Sequence, residues 1–152
     1  METLDVKIVR LPQIRVASAL GFGASPEEIA WEKLLSWARE KGLLEKGDVR
    51  FFGFNNPNPS PGSPNYGYEQ WMTVGSDTKA SGEIEIKDFD GGLYAVTRCK
   101  LPQIGETWQA LVKWCESSPY EHAHHQWLEE GLSPHPTPFE DVIMDIYLPI
   151  AE

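Results

Sequence analysis

The sequence is short of cysteine, of positive charge and of long apolar runs, and each shortage removes a class of protein. Cys99 and Cys115 stand far apart, without the close spacing of a zinc or redox motif, so both read as reduced, buried residues, a disulfide between them being the alternative. No apolar stretch approaches the roughly 18 residues that a membrane span needs, and the opening METLDVKIVRLP lacks the basic-then-apolar order of a signal peptide. A cytoplasmic protein with no membrane partner is expected. Lys and Arg number 13 against 23 Asp and Glu, a formal net charge of −10, which repels phosphate backbones and favours cationic ligands. Direct contact with nucleic acid is therefore not expected. The same charge also keeps a small protein soluble, so alone it identifies no ligand. At 152 residues the chain fits one domain, burying about 70% of the surface its unfolded form exposes.

What is present is a pattern that occurs twice. VKIVRLP and RVASALG read as extended chain up to Gly21 and Gly23. Ser25-Pro26-Glu27-Glu28 starts a helix, with Ser as N-cap, Pro in the first turn and acids at the positive end of the dipole. Gly42 stops it after Lys41. FFGF and YGYEQWMTV read as strands, and GSDTKASG as a linker. The order then repeats: IEIKDF and LYAVTRC as strands, TWQALVKWCE as a helix, a long His- and Pro-bearing stretch, and DVIMDIYLPI as a closing strand.

Trp31-x-x-Leu34-x-x-Trp37 recurs as Trp108-x-x-Leu111-x-x-Trp114, displaced by 77 positions; Val6 and Ile8 correspond to Ile84 and Ile86, displaced by 78; Glu69-x-Trp71 corresponds to Asp145-x-Tyr147, displaced by 76. Nearly equal offsets indicate a duplication, with repeat 1 at about 4–74, a linker at 75–82 and repeat 2 at about 83–151. The expected fold is α+β: two pseudo-twofold-related β-α-β-β units forming one antiparallel sheet, with two helices on one face and a ligand cleft on the other.

Strand residues alternate sides. Tyr68, Gln70, Met72 and Val74 therefore share one face, and Met144, Ile146 and Leu148 share one in the last strand. These apolar positions seat the helices through Leu34, Leu35, Leu111 and Val112. The opposite face carries Glu69, Trp71, Asp145 and Tyr147. An acid followed two residues on by an aromatic, twice, suits a groove for a cation, since each good ring contact contributes about 0.5–2 kcal/mol. A buried carboxylate without a partner is costly. With no Lys or Arg near Glu69 in sequence, its expected partner is a bound ligand. The alternative is that Glu69 faces solvent at a strand start and that Trp71 and Tyr147 are core.

Taken in order, RVAS, the two W-x-x-L-x-x-W helices, FGFNNPNP, YGYEQW, KDFDGGLYAV and DIYLPI resemble the gyrase-inhibitor-like (GyrI-like) effector-binding domain over nearly the whole chain. Such domains occur fused to DNA-binding helices in multidrug-sensing regulators and also alone, as in integron cassette proteins. The resemblance implies repeated β-α-β-β units around a central cleft that binds amphipathic, often cationic, small molecules between aromatic walls and an acid. It carries that acid to Glu69; where several regulators have a Glu on the final strand, this chain has Asp145. The expected ligand-binding residues are Glu69, Trp71, Tyr66, Phe54, Tyr94, Trp127, Asp145 and Tyr147, with Trp127 as a lid, and no cofactor or metal is expected.

Some stand-alone members hydrolyse reactive cyclopropane-bearing compounds. In that reading Glu69 is the catalytic base and Tyr66, Tyr68, Tyr94 or Tyr147 assists, strand parity arguing against Tyr68. A protein partner, in an interaction role of the gyrase-inhibitor kind, is the third reading, and no DNA-reading segment is expected ahead of Val6.

EHAHHQWLEE holds His122, His124 and His125 beside Glu121, Glu129 and Glu130. On a helix Glu121 and His125 align while His122 and His124 diverge by about 200°, which favours a solvated helix over a metal site. PNPSPGSPN is expected to form a rigid, extended flap, either a surface connection or a cleft wall carrying Phe54 and Tyr66. Gly91-Gly92 permits a turn or bulge that re-aims Tyr94, and does not resemble a phosphate loop.

Overall fold

Pro26 and the acids that follow it open the first helix as the sequence dictates. Helix α1 (Pro26–Glu40) has Glu27 and Glu28 in its first turn, and Ser25 precedes it without making a side-chain capping bond. Gly42 ends it in a left-handed conformation, φ +68°. The computed structural model describes residues 4–45, 49–55, 65–133 and 137–152. Ahead of α1 lie β1 (Lys7–Leu11) and β2 (Ile14–Gly23); after it come β3 (Phe51–Asn55), β4 (Tyr66–Thr73), β5 (Glu85–Phe89) and β6 (Gly92–Lys100). Helix α2 (Ile104–Glu116) follows, then β7 (Glu121–His122), β8 (Leu128–Gly131) and β9 (Ile143–Ala151). The expected flap falls on residues 57–65 and lies, apart from Asn65, outside the described residues.

Two compact units result, a first comprising Ile14–Phe89 and a second comprising Met1–Gln13 with Asp90–Glu152. The first has the antiparallel strand order β3-β4-β2-β5 with α1 packed on β2 and β4. The second has the order β8-β9-β6-β1, also antiparallel, with β7 on β9 and α2 against β6 and β9. Each unit is α+β, and the two orders match element for element. The repeat seen in sequence is therefore a repeat in space with one exchange: each unit takes its edge strand from the other half of the chain.

The cores record that exchange. In the first unit Leu34, Trp37 and Ala38 of α1 bury against Ala17, Ala19, Met72 and Ile84, with Val74 and Ile86 alongside. In the second, Leu111 and Cys115 of α2 bury against Ala95, Ile146, Leu148 and Ile150, with Leu4 and Val6 alongside. Ile84 and Val6, paired by the repeat, thus sit in each other's cores. Burying one such Leu or Ile stabilises by about 1.5–3 kcal/mol. The linker is tied down by polar bonds: Arg15 Nη2 donates to the Thr78 carbonyl at 2.9 Å, and Trp37 Nε1 donates to Ser81 Oγ at 2.8 Å.

The segment expected as a solvated helix, residues 121–130, holds β7 and most of β8 instead, with irregular chain between them. Leu128 and Glu130 are buried while Trp127 is exposed and Glu129 half-buried, a period of two rather than 3.6. That alternation lets β8 pair with β9 while the Glu129 carboxylate, on the other side, accepts the Trp108 indole N–H at 3.2 Å.

Candidate functional site

In the first unit β4 is paired on both edges, by β2 and β3, which sets Glu69 in the middle of the sheet. Its direct cross-strand partners are Leu20 and Phe54, so these three side chains lie on one face, away from α1. Glu69 is buried. Its Oε2 accepts from Ser18 Oγ at 2.8 Å, from Trp71 Nε1 at 2.6 Å and from Lys87 Nζ at 2.8 Å. The Trp71 ring meets Phe54 edge-on at 5.0 Å and tilts against Phe89 at 5.3 Å. Farther along β2, Leu20 and Phe22 are 48% and 59% exposed on this same face, Phe22 standing opposite Gly67, which has no side chain to cover it.

The expectation that Glu69 meets no cation from the protein is overturned. Lys87 is 18 residues away in sequence but only two strands away in the sheet, since β5 and β4 flank β2. Strands are spaced by about 4.8 Å, so a lysine stem crosses β2 and reaches the carboxylate.

The second unit carries the matching positions with different chemistry. Asp145, equivalent to Glu69, is paired by Arg98 through Nε–Oδ1 at 2.9 Å and Nη2–Oδ2 at 3.3 Å. This holds the guanidinium above its ordinary pKa, through the hydrogen bond first and the opposite charge second. Asp145 is thus ion-paired, where an acid lining an open groove was expected. Glu130 stands opposite Asp145 as Phe54 stands opposite Glu69, and its buried carboxylate accepts the Tyr147 hydroxyl at 2.6 Å. Tyr94 meets Tyr147 edge-on at 5.5 Å and His125 at 4.8 Å, and donates to the Gln126 carbonyl at 2.5 Å. Gly91 and Gly92 both take positive φ, +78° and +146°, and His125 occupies the space beside Gly92.

Burial pushes the Tyr94 phenol well above its ordinary pKa of 10.0. Because the folded state disfavours the phenolate, its stabilising contribution is complete below pH 10 and is lost as pH rises from the unfolded value toward the folded one. Tyr94→Phe is accordingly expected to start about 1 kcal/mol less stable at pH 8 and to lose stability less steeply than wild type above pH 10 in urea titrations. Parallel alkaline limbs for the two proteins would contradict this assignment.

The structure thus brings Glu69, Trp71 and Phe54 together in the first unit, and Tyr94, Asp145 and Tyr147 onto paired strands of the second. Tyr66 lies elsewhere: it shares a side with Tyr68 and Gln70, and its hydroxyl donates to Glu27 Oε1 in the first turn of α1 at 2.5 Å. Trp127, the expected lid, is exposed and packs on Trp108 of α2 at 5.2 Å. Sequence reasoning missed Ser18, Leu20, Phe22, Lys87, Phe89 and Glu130. Alternation along Val16, Ser18, Leu20 and Phe22 was available to find the β2 residues; Lys87 and Phe89 needed the strand order. Among the described residues no group of three His, Cys, Asp or Glu side chains is gathered that could hold a metal ion, and no helix is long and apolar enough to cross a membrane.

Residues 4–151 match the GyrI-like small molecule binding domain. The chain belongs to that family. Solved structures share the GyrI-like fold at low identity. The EcmrR C-terminal domain is 14% identical with a TM-score of 0.72, 99% of each chain being covered. A hydrolase from Listeria innocua is 10% identical with a TM-score of 0.72, over 99% of this chain and 94% of that one. SAV2435 bound to tetraphenylphosphonium is 13% identical with a TM-score of 0.58, over 97% and 94%. Against the EcmrR chain in its DNA complex, this GyrI-like chain spans 57% of the length. No curated protein matches it.

Proposed function

We propose that the helix-free face of the first unit binds amphipathic organic cations, with Glu69 as charge anchor and Phe54, Trp71 and Phe89 as ring surfaces. The observation that carries this reading is the Glu69 carboxylate, buried among aromatic rings and holding an ammonium group. A site that accommodates one cation there has the electrostatics for another. Ser18 and Trp71 fix the carboxylate independently of any cation, which lowers the ordering cost on binding. Leu20 and Phe22 offer apolar surface beside the charge, suited to the uncharged part of an amphipathic ligand. The tetraphenylphosphonium bound by SAV2435 supports the same ligand class, a cation whose charge is wrapped in rings. A net charge of −10 adds long-range attraction. Water activation by Glu69 gains less support, because three donors already converge on Oε2.

Titration with tetraphenylphosphonium and with neutral triphenylphosphine oxide, followed by tryptophan fluorescence, tests the reading. The cation is expected to quench saturably, with at least about tenfold tighter binding than the neutral compound. Absence of saturable quenching by the cation would overturn the proposal, and equal affinity for the two would remove Glu69 from it.

A further inference from the structure

We infer that Lys87 is a tethered competitor for Glu69, which a ligand must displace and which thereby selects ring-bearing cations over small ones. The inference rests on the cation-binding reading above, and four observations carry it.

The ion pair is asymmetric: the Lys87 side chain is 39% exposed, that of Glu69 4%. The acid is locked in the sheet while the ammonium is already partly hydrated, so the lysine is the member that can leave. A second resting place lies beside it. Glu85, two residues back on β5 and therefore on the same face, puts an exposed carboxylate oxygen 3.8 Å from Lys87 Nζ. Departure of Lys87 does not disorder the anchor, because Ser18 and Trp71 still donate to Glu69 Oε2. Finally, Lys87 is not dictated by the repeat: it pairs with Val16 of β2, and the equivalent partner of Tyr94 on β6 is Val9. The matching acid, Asp145, is bonded by Arg98 of its neighbouring strand instead.

The consequence is a filter. A tethered ammonium competes at an effective concentration on the order of millimolar or above, and a free alkylammonium ion offers Glu69 nothing that Lys87 does not. A cation carrying aromatic groups adds contacts with Trp71, Phe54 and Phe89, which the Lys87 ammonium does not supply, and displaces it. Specificity here comes from an element that opposes the wrong ligands.

Wild type, Lys87→Met and Lys87→Arg should be titrated with tetraphenylphosphonium, tetramethylammonium and triphenylphosphine oxide. Lys87→Met is expected to bind tetraphenylphosphonium about tenfold tighter than wild type, to acquire measurable tetramethylammonium binding, and to bind the neutral compound as wild type does. Lys87→Arg, which keeps the charge and the fold, is expected to bind neither cation more tightly. If Lys87→Met is less stable, the thermal shift produced by tetraphenylphosphonium should still be larger in it than in wild type. Equal or weaker cation binding by Lys87→Met, with wild type binding well, would overturn the competitor role and leave the proposed function standing. Cation binding by neither protein would overturn both.

Discussion

Glu69→Gln is expected to weaken tetraphenylphosphonium binding by about thirtyfold, roughly 2 kcal/mol, while leaving the fold and the binding of a neutral aromatic analogue nearly unchanged. The substitution is close to isosteric, and the amide oxygen can still accept from Ser18 and from the Trp71 indole, the two donors that lie within the sheet. What disappears is the negative charge. Lys87 then loses its buried partner and keeps only the exposed Glu85 carboxylate beside it, so an incoming cation loses the attraction of the acid. Far-UV circular dichroism and urea unfolding check the fold. Glu69→Gln combined with Lys87→Met completes a cycle: the gain expected from removing the lysine should vanish when the acid is absent, because there is nothing left to compete for. Undiminished cation binding by Glu69→Gln would show that the charge is read elsewhere.

How far the site was legible depended on which kind of order each residue needed. The helices were readable because Trp31, Leu34, Trp37 and their counterparts repeat at helical spacing, and Leu34 and Leu111 are both fully buried. The two faces of β4 and β9 were readable because alternation in a strand is local. Strand neighbours are not local. VKIVRLP and IEIKDF announce short strands, yet nothing in either states that each will join the unit formed largely by the other half of the chain. The partner of Glu69 follows from that exchange, since it is β5 that carries Lys87 alongside β2. Glu130 was missed for a different reason. Its segment holds His, Glu and a lone Trp with little apolar content, so a period of two was hidden until Leu128 and Glu130 turned out to be buried. An acid inside a sheet has no hydropathy signature; the Tyr147 hydroxyl that satisfies it comes from a strand 17 residues on.

Gly91→Ala is expected to cost about 4 kcal/mol, and Gly82→Ala only about 1 kcal/mol. Both glycines take a left-handed conformation, φ +78° and +60°, so the two substitutions share the backbone penalty and the entropy that alanine removes from the unfolded chain. They differ in surroundings. Nothing lies within 4 Å of where a Gly82 side chain would begin, whereas at Gly91 that position runs into the carbonyls of Leu11 and Pro12, with the Pro12 carbonyl carbon at 2.8 Å. These are backbone atoms, which cannot swing aside as a side chain can. Relief requires the end of β1 to shift away from β6, where Leu11 pairs with Gly92, and β1 brings with it Leu4 and Val6 at the edge of the second core. Urea unfolding of the two variants isolates the steric part as a difference. A large difference means that Leu11 and Pro12 hold β1 in the unit built from the other half of the chain. Equal costs would mean that β1 is not seated there, and the strand exchange that brings Lys87 to Glu69 by the same logic would lose its counterpart.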